Sequence, residues 1–305
     1  MARGPECTVV VCTRGRPVAL ARCLESLAAQ TYREFEVLVV DSAPLDAGNR
    51  EIVGRFGARY VVEPLVGLSR ARNAGLRYCT GDFIAFLDDD CVAAEGWLGA
   101  LLAEFAEPSV MAVTGNILMP GPEFGPARVA LGQENPEWFE MANFGGIGSG
   151  GNMAFRRGFA GFDERLGRGV LLPACEENLA FHSVIDSGGQ IVYTPESVVS
   201  HPHKTGTAAF RANFRNVACS VAYFTLLWVE TKHRARVFRY CLGALGGRRR
   251  SWRAAGNGIA MGRQWWTPLA ILAGPWLYLA ASWQGRGKAV QGAVQSIRRS
   301  ESSVS

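Results

Sequence analysis

The chain has 305 residues, of which 48% are hydrophobic and 19% charged, with no low-complexity tract and no internal repeat. That composition belongs to a folded globular protein and excludes a disordered or fibrous one. The net charge of +5 conceals two unequal parts: residues 1–203 hold 16 Lys+Arg against 25 Asp+Glu, a net of −9, and residues 204–305 hold the other 16 against Glu230 and Glu301, a net of +14. A shift this sharp predicts a boundary, with one domain over 1–203 and a basic, helical extension over 204–305. The eight cysteines form no C-x-x-C pair and no zinc spacing, and several sit in apolar runs, so reduced, buried thiols in a cytoplasmic protein are expected. The apolar run at the N-terminus is too short for a secretory signal.

In chain order, the β-branched run at 8–13 predicts a strand, and 17–30, opening on Pro17, predicts a helix. Strands follow at 35–42 and 58–63, with a helix near 46–57 between them and another from about 69 to 78. The run "DFIAFLD" (82–88) predicts a fourth strand, 95–106 a helix and 110–117 a fifth strand. Alternation of this kind implies an α/β fold with a mostly parallel sheet flanked by helices. Continuous apolar runs suit strands covered on both faces, and ligands gather beyond the carboxyl ends of such strands. Polar residues stand at those ends: Thr13, Arg14 and Arg16, then Asp41 and Ser42, then Asp88, Asp89 and Asp90.

If the chain stays extended through the aspartate triplet, Asp88 and Asp90 point one way and Asp89 the other. Converging carboxylates repel unless they are protonated or bridged by a cation, and all-oxygen ligands suit Mg²⁺ or Mn²⁺ shared with a phosphorylated ligand. A solvated acidic loop or a helix cap is the plainer alternative. Arg14, Arg16, Arg70 and Arg72 could meet a phosphate from the same sheet edge or could simply be solvated. No P-loop and no dinucleotide-binding glycine turn is present.

The ordered set "VVVCTRGRPVALARCLESLAAQTYREFEVLVVDS", "GLSRARNAGL", "FIAFLDDD", "GSGGNMAFRR", "GFDERLG" and "IVYTPESVVSHPH" resembles the family-2 glycosyltransferases over residues 8 to about 203. The resemblance implies the GT-A nucleotide-sugar fold and inverting transfer of a sugar from a nucleoside diphosphate, a UDP-sugar foremost, to an acceptor hydroxyl. It implies donor contacts from Thr13, Arg14, Arg16, Arg70, Asn73, Gly151 and Asn152, with Asp41 at the base and Asp88 or Asp89 at the ribose. A Mn²⁺ or Mg²⁺ ion would be held by Asp90 and Asp88, with His201 or His203 completing its shell.

In the family the general base is the Asp of a Gly-Glu-Asp segment opening a helix; the matching stretch here is Cys175-Glu176-Glu177, and the usual later Asp and Arg of that helix are Leu179 and Ser183. Glu177 shares a helical stripe with Phe181, Val184, Ile185 and Gly188, whereas Glu176 is turned about 100° away. Glu177 is therefore the expected base, with Glu176 beside it, unless the two acids serve only the helix dipole. The changed helix leaves open a catalytically impaired nucleotide-sugar-binding protein. A sugar nucleotidyltransferase should carry a glycine-rich loop with Arg and Lys where this chain reads "TRGRP".

The extension contains 217–229, short for a bilayer crossing, and 265–283, nineteen uncharged residues with tryptophans at both ends. Pro268, Gly274 and Pro275 weaken the second as one straight helix. Basic clusters at 246–253, 285–288 and 297–299 suit anionic lipid, so contact with the cytoplasmic face of the plasma membrane is expected, re-entrant or monotopic, and nucleic-acid binding is not.

Overall fold

The computed structural model describes residues 5–118, 127–143, 147–201, 207–245 and 272–284, with backbone alone at 207–217 and 242–245. Strands β1 (Cys7–Thr13), β2 (Phe35–Ser42), β3 (Arg59–Glu63) and β4 (Phe83–Asp88) alternate with helices α1 (Pro17–Ala28), α2 (Gly48–Arg55) and α3 (Leu68–Tyr78). After β4 come the short β5 (Val92–Ala93), α4 (Trp97–Ala103), β6 (Val110–Leu118), β7 (Val129–Leu131), α5 (Trp138–Asn143), β8 (Asn152–Arg156), α6 (Glu176–Asp186) and β9 (Gln190–Ser200). Two longer helices, α7 (Thr207–Glu230) and α8 (Arg234–Leu245), follow, and 272–284 is helical.

The sheet runs β3-β2-β1-β4-β8-β6-β9-β5, with β7 added on β9. The first four strands are mutually parallel, and β6 is parallel to β9. Strand β8 runs antiparallel between β4 and β6. This reversal falls in the glycine-rich stretch that resembled a ligand loop, so no alternation of strand and helix announced it.

The parallel strands send successive side chains to opposite faces, and both faces are covered. Val9, Val11, Val39, Ala85 and Leu87 pack against Leu20, Cys23, Leu24 and Leu27 of α1 and against Trp97, Leu98 and Leu101 of α4. Val10, Leu38, Val40, Ile84 and Phe86 face α3, α6 and α7. A Cβ at Gly75 would stand 2.5 Å from Val10, so a glycine is what lets α3 sit this close to β1.

The second core layer crosses the charge boundary at 203. Cys219, Ala222, Tyr223, Leu226 and Leu227 of α7, Val237 of α8, and Tyr278 and Ala281 share one buried cluster with Phe155, Phe162 and Phe181. Among the described residues no helix is long and apolar enough to cross a membrane. The first part of the nineteen-residue uncharged stretch and the basic clusters at 246–253, 285–288 and 297–299 lie outside the described residues.

Candidate active site

The carboxyl ends of β1, β2 and β4 lie level, Thr13 paired with Asp41 and Cys12 with Asp88. Asp41 is fully buried; its Oδ2 accepts from Asn49 Nδ2 at 3.0 Å and from Tyr60 Oη at 2.9 Å. Its Oδ1 has no hydrogen-bond partner. A buried carboxylate oxygen without a donor is costly, and a ligand N–H would remove that cost. The Tyr60 hydroxyl is pushed up to about 12, by burial and then by the bond to Asp41.

The aspartate triplet does not stay extended. Strand β4 ends at Asp88, and the Cys91 amide donates to the Asp88 carbonyl at 3.0 Å, which turns the chain. The expected alternation is therefore wrong: Asp89 and Asp90 both reach Arg16 Nη1, each at 3.0 Å, whereas Asp88 goes to Arg72. Thr13 Oγ1 donates to Asp89 at 2.7 Å. Burial nevertheless pushes Asp89 up to about 6, outweighing Thr13 and Arg16.

Asp90 Oδ1 lies 3.3 Å from His201 Nε2, and Asp90, Cys91 and His201 place one ligand atom each within 4.8 Å of one another. A carboxylate oxygen beside an imidazole nitrogen fits a divalent ion, and the mixed set suits Mn²⁺ better than Mg²⁺. Burial drives the Cys91 thiol well up, so Asp90 and His201 are the ready ligands. Asp88, expected beside Asp90, pairs with Arg72 and is not one of these three ligand-type residues, and His203 lies outside the described residues.

Arg72 organises the other side. It is 2% exposed, and its Nη1 lies 3.0 Å from Glu176 Oε1, its Nη2 3.3 Å from Asp88 Oδ1 and 2.9 Å from the Gly150 carbonyl. The guanidinium stands over the Phe162 ring at 5.4 Å. One buried cation thus joins the end of β4 to the start of α6, whose Glu176 lies 104 positions after Arg72. A Cβ at Gly150 would come within 2.9 Å of this guanidinium and one at Gly151 within 3.0 Å of Asp88, so small residues are needed at both.

The helical stripe misplaced the two glutamates. Glu176 is the buried one, against Arg72, and Glu177 is partly buried. Helix α6 packs on more than one side, so residues outside the expected stripe, Ala180 and His182, are buried as well. Among the described residues Glu177 has no salt bridge, and burial, with Glu176 adding repulsion, pushes its carboxyl up to about 8. Cys175, just before them, holds a left-handed backbone at φ 70°, which costs energy for a non-glycine residue and fixes how the helix starts.

Several residues expected at a donor are engaged by the protein instead. Asn152 is fully buried; it accepts from Trp97 Nε1 at 2.8 Å and donates to the carbonyls of Asn116 and Ser197. Asn73 bonds both ways with the Phe162 backbone, at 2.9 and 2.8 Å, and so clamps the loop before α6. Arg70 is paired with Glu164 at 2.7 Å, and Arg14 is exposed near the Ala43 carbonyl. Asn49, Tyr60 and Cys91 were missed in the sequence, and Arg72, read there as a phosphate partner or a solvated side chain, is buried against Asp88 and Glu176. The signal for Arg72 was its place beside Ala71, Ala74 and Gly75, the small residues of the buried face of α3.

A second group of ligand-type residues, His182, Asp186 and His233, lies further along α6. Asn143 Nδ2 donates to Phe139 O at 2.7 Å and sits 3.1 Å from His182 Nδ1, while Tyr223 donates to Asn143 Oδ1 at 2.5 Å. This orients the amide so that Nδ1 accepts and Nε2 carries the proton, with no lone pair for a metal. Asp186 is already met by His233 at 2.8 Å and Lys232 at 2.9 Å. The group is an internal hydrogen-bond network.

The central sheet flanked by helices is the fold of the GT-A glycosyltransferases. The structure superposes on the mannosyltransferase PcManGT from Pyrobaculum calidifontis, solved with GDP-Man and Mn²⁺, with a TM-score of 0.55 over 92% of this chain and 87% of that one at 20% identity. On S. aureus TarS 1–349 with UDP-GlcNAc the TM-score is 0.59 over 90% and 81% at 16% identity. Residues 8–161 match glycosyl transferase family 2, and the chain belongs to that family. Among curated relatives, the pre-mycofactocin glycosyltransferase of Mycobacterium tuberculosis is 29% identical over 66% of this chain, and the succinoglycan biosynthesis protein ExoM of Rhizobium meliloti 32% over 63%. The matches span 43% and 65% of the length of those two relatives.

Proposed function

We propose that this protein transfers a sugar from a nucleoside diphosphate to an acceptor hydroxyl with inversion, with Glu177 as the base and a divalent ion as helper. The observation that carries the reading is the Arg72 junction, which brings the start of α6 and its glutamates to the carboxylates at the end of β4. Donor-side and acceptor-side chemistry then meet at one place.

In that reaction the acceptor oxygen bonds to the anomeric carbon as the bond to the diphosphate breaks. The electron pair leaves with the diphosphate, and the hydroxyl proton passes to Glu177. A carboxyl near 8 is suited to this, because a base tuned close to the working pH both exists in its charged form and holds the proton well. Glu176, neutralised by Arg72, is a positioning residue. A metal held by Asp90 and His201 would neutralise the charge growing on the diphosphate. Arg16, on Asp89 and Asp90, carries the positive charge that holds these carboxylates together.

Asp41 supports a uracil or thymine base. Only Oδ1 is open, and it can take one imide N–H; adenine and cytosine offer none, and guanine presents two donor groups suited to both oxygens. The test is a transfer and donor-hydrolysis assay with UDP-, dTDP- and GDP-linked sugars, with Mn²⁺ or after chelation. Manganese-dependent turnover of the first two is expected; no turnover of any donor, with nucleotide still bound, would favour an impaired binding protein.

A further inference from the structure

The helix at 272–284 has no charged residue, and among the described residues its buried face meets α7. Tyr278 and Ala281 are 7% and 4% exposed, and a Cβ on Gly274 would come within 2.4 Å of Val221, so this face is pressed on α7. Tyr278 donates to Glu230 at 2.9 Å, and Arg165 reaches Ser282 at 3.4 Å. The opposite face is equally apolar and is open: Leu272 is 69% exposed, Trp276 74%, Leu279 54% and Trp283 79%. Their spacing of four, three and four residues makes one continuous stripe. A helix that is apolar all round is stable when covered all round, and among the described residues this one has no second cover.

We propose that this stripe is the face by which the protein lies on an anionic lipid bilayer. One face of this helix is already taken by α7, and its described thirteen residues span about 20 Å of a hydrocarbon core of about 30 Å, so it lies in the interface with its open face toward lipid. Tryptophans at two levels of the stripe suit that depth, their rings among the acyl chains and their N–H groups toward the headgroups. Charge selects the occupant. Among the described residues, exposed Arg234 and Arg239 on α8 bond only backbone carbonyls, and the sequence from 204 onward is net +14. A second copy would bring the same charge against itself, whereas an anionic membrane is attracted to it. Trp228 and Phe238, ring centroids 6.1 Å apart, add a second exposed apolar group, and Trp228 lies two residues from Glu230, the partner of Tyr278.

The test is flotation of the full chain with vesicles of phosphatidylcholine containing 30% phosphatidylglycerol, about the anionic share at which basic proteins partition well, against phosphatidylcholine alone. The wild type is expected to float with the anionic vesicles and W276Q/W283Q to lose at least about tenfold in partition coefficient. The variant should keep its thermal midpoint and its UDP binding, which shows that it folds. The milder Trp276→Tyr, which keeps an interfacial aromatic, should float almost as the wild type does. Equal flotation of wild type and double variant would overturn the proposal, as would a wild type that stays in solution. A chain that instead dimerises through this stripe, and becomes monomeric in the double variant, would overturn it too.

Discussion

The amino-terminal half of the sheet and the helical extension handle charge in opposite ways. In the first, Asp41, Asp88 and Asp89 are gathered at strand ends and held by tyrosine, threonine and arginine partners drawn from the same half. In the extension the acids are almost gone, Arg234 and Arg239 of α8 lean on carbonyls, and large apolar side chains stand in the open. The contrast separates a site built to receive a charged ligand from a surface that keeps its own charge unmatched. In the first, changing one residue should cost much; in the second, the cost should be slight unless a partner is present.

The severest break should come from Arg72→Met. It strands Glu176 in the interior and leaves half-exposed Asp88 without its partner, and breaking a buried pair costs about 3–5 kcal/mol. Urea denaturation should show this loss, and the double variant R72M/E176Q should recover part of it. If R72M is as stable as the wild type, the junction does not hold the two halves of the site together.

Next in size is Glu177→Gln, expected to slow transfer by about 10²–10⁴-fold with UDP binding retained. Wild-type kcat should rise with pH and level off above the carboxyl's value of about 8. The sign for stability is the opposite. The folded chain keeps a proton that the unfolded chain releases near 4.5, so this contribution is full below that pH and is lost on the way to about 8. Stability of the wild type relative to E177Q should therefore fall over that interval. A smaller effect is expected of Asp41→Asn, about tenfold to a hundredfold in affinity for UDP by calorimetry, the worth of a hydrogen bond to a charged group. Arg239→Gln should be smallest, within about 0.5 kcal/mol by thermal melt, because its guanidinium touches only the Ala235 carbonyl.

Much of the fold was legible, because β1 to β4 and their helices are local patterns of apolar residues. The predicted strand at 35–42 and the helix from Pro17 begin where the structure has them. What escaped was long-range. Strand β8 takes its place by pairing with β4 and β6, and β7 exists only by pairing with β9. The aspartate triplet was correctly placed at a strand end, but its geometry follows from the turn at Asp88, which period-2 reasoning assumed away. The two glutamates show the same limit: helix phase ranks faces by apolar neighbours, and it does not register an arginine arriving from a helix a hundred residues earlier.

Arg165 grips Asp163 on one side and Glu230 on the other, with Ser282 close by. One guanidinium therefore buttons three separate stretches: the loop before α6, the end of α7 and the helix at 272–284. Any tug on that last helix is relayed through a single side chain to the loop that leads into α6. Trimming the protein at the charge boundary would undo this fastening and uncover the flank of α6, so a shortened chain is a poor stand-in for the whole.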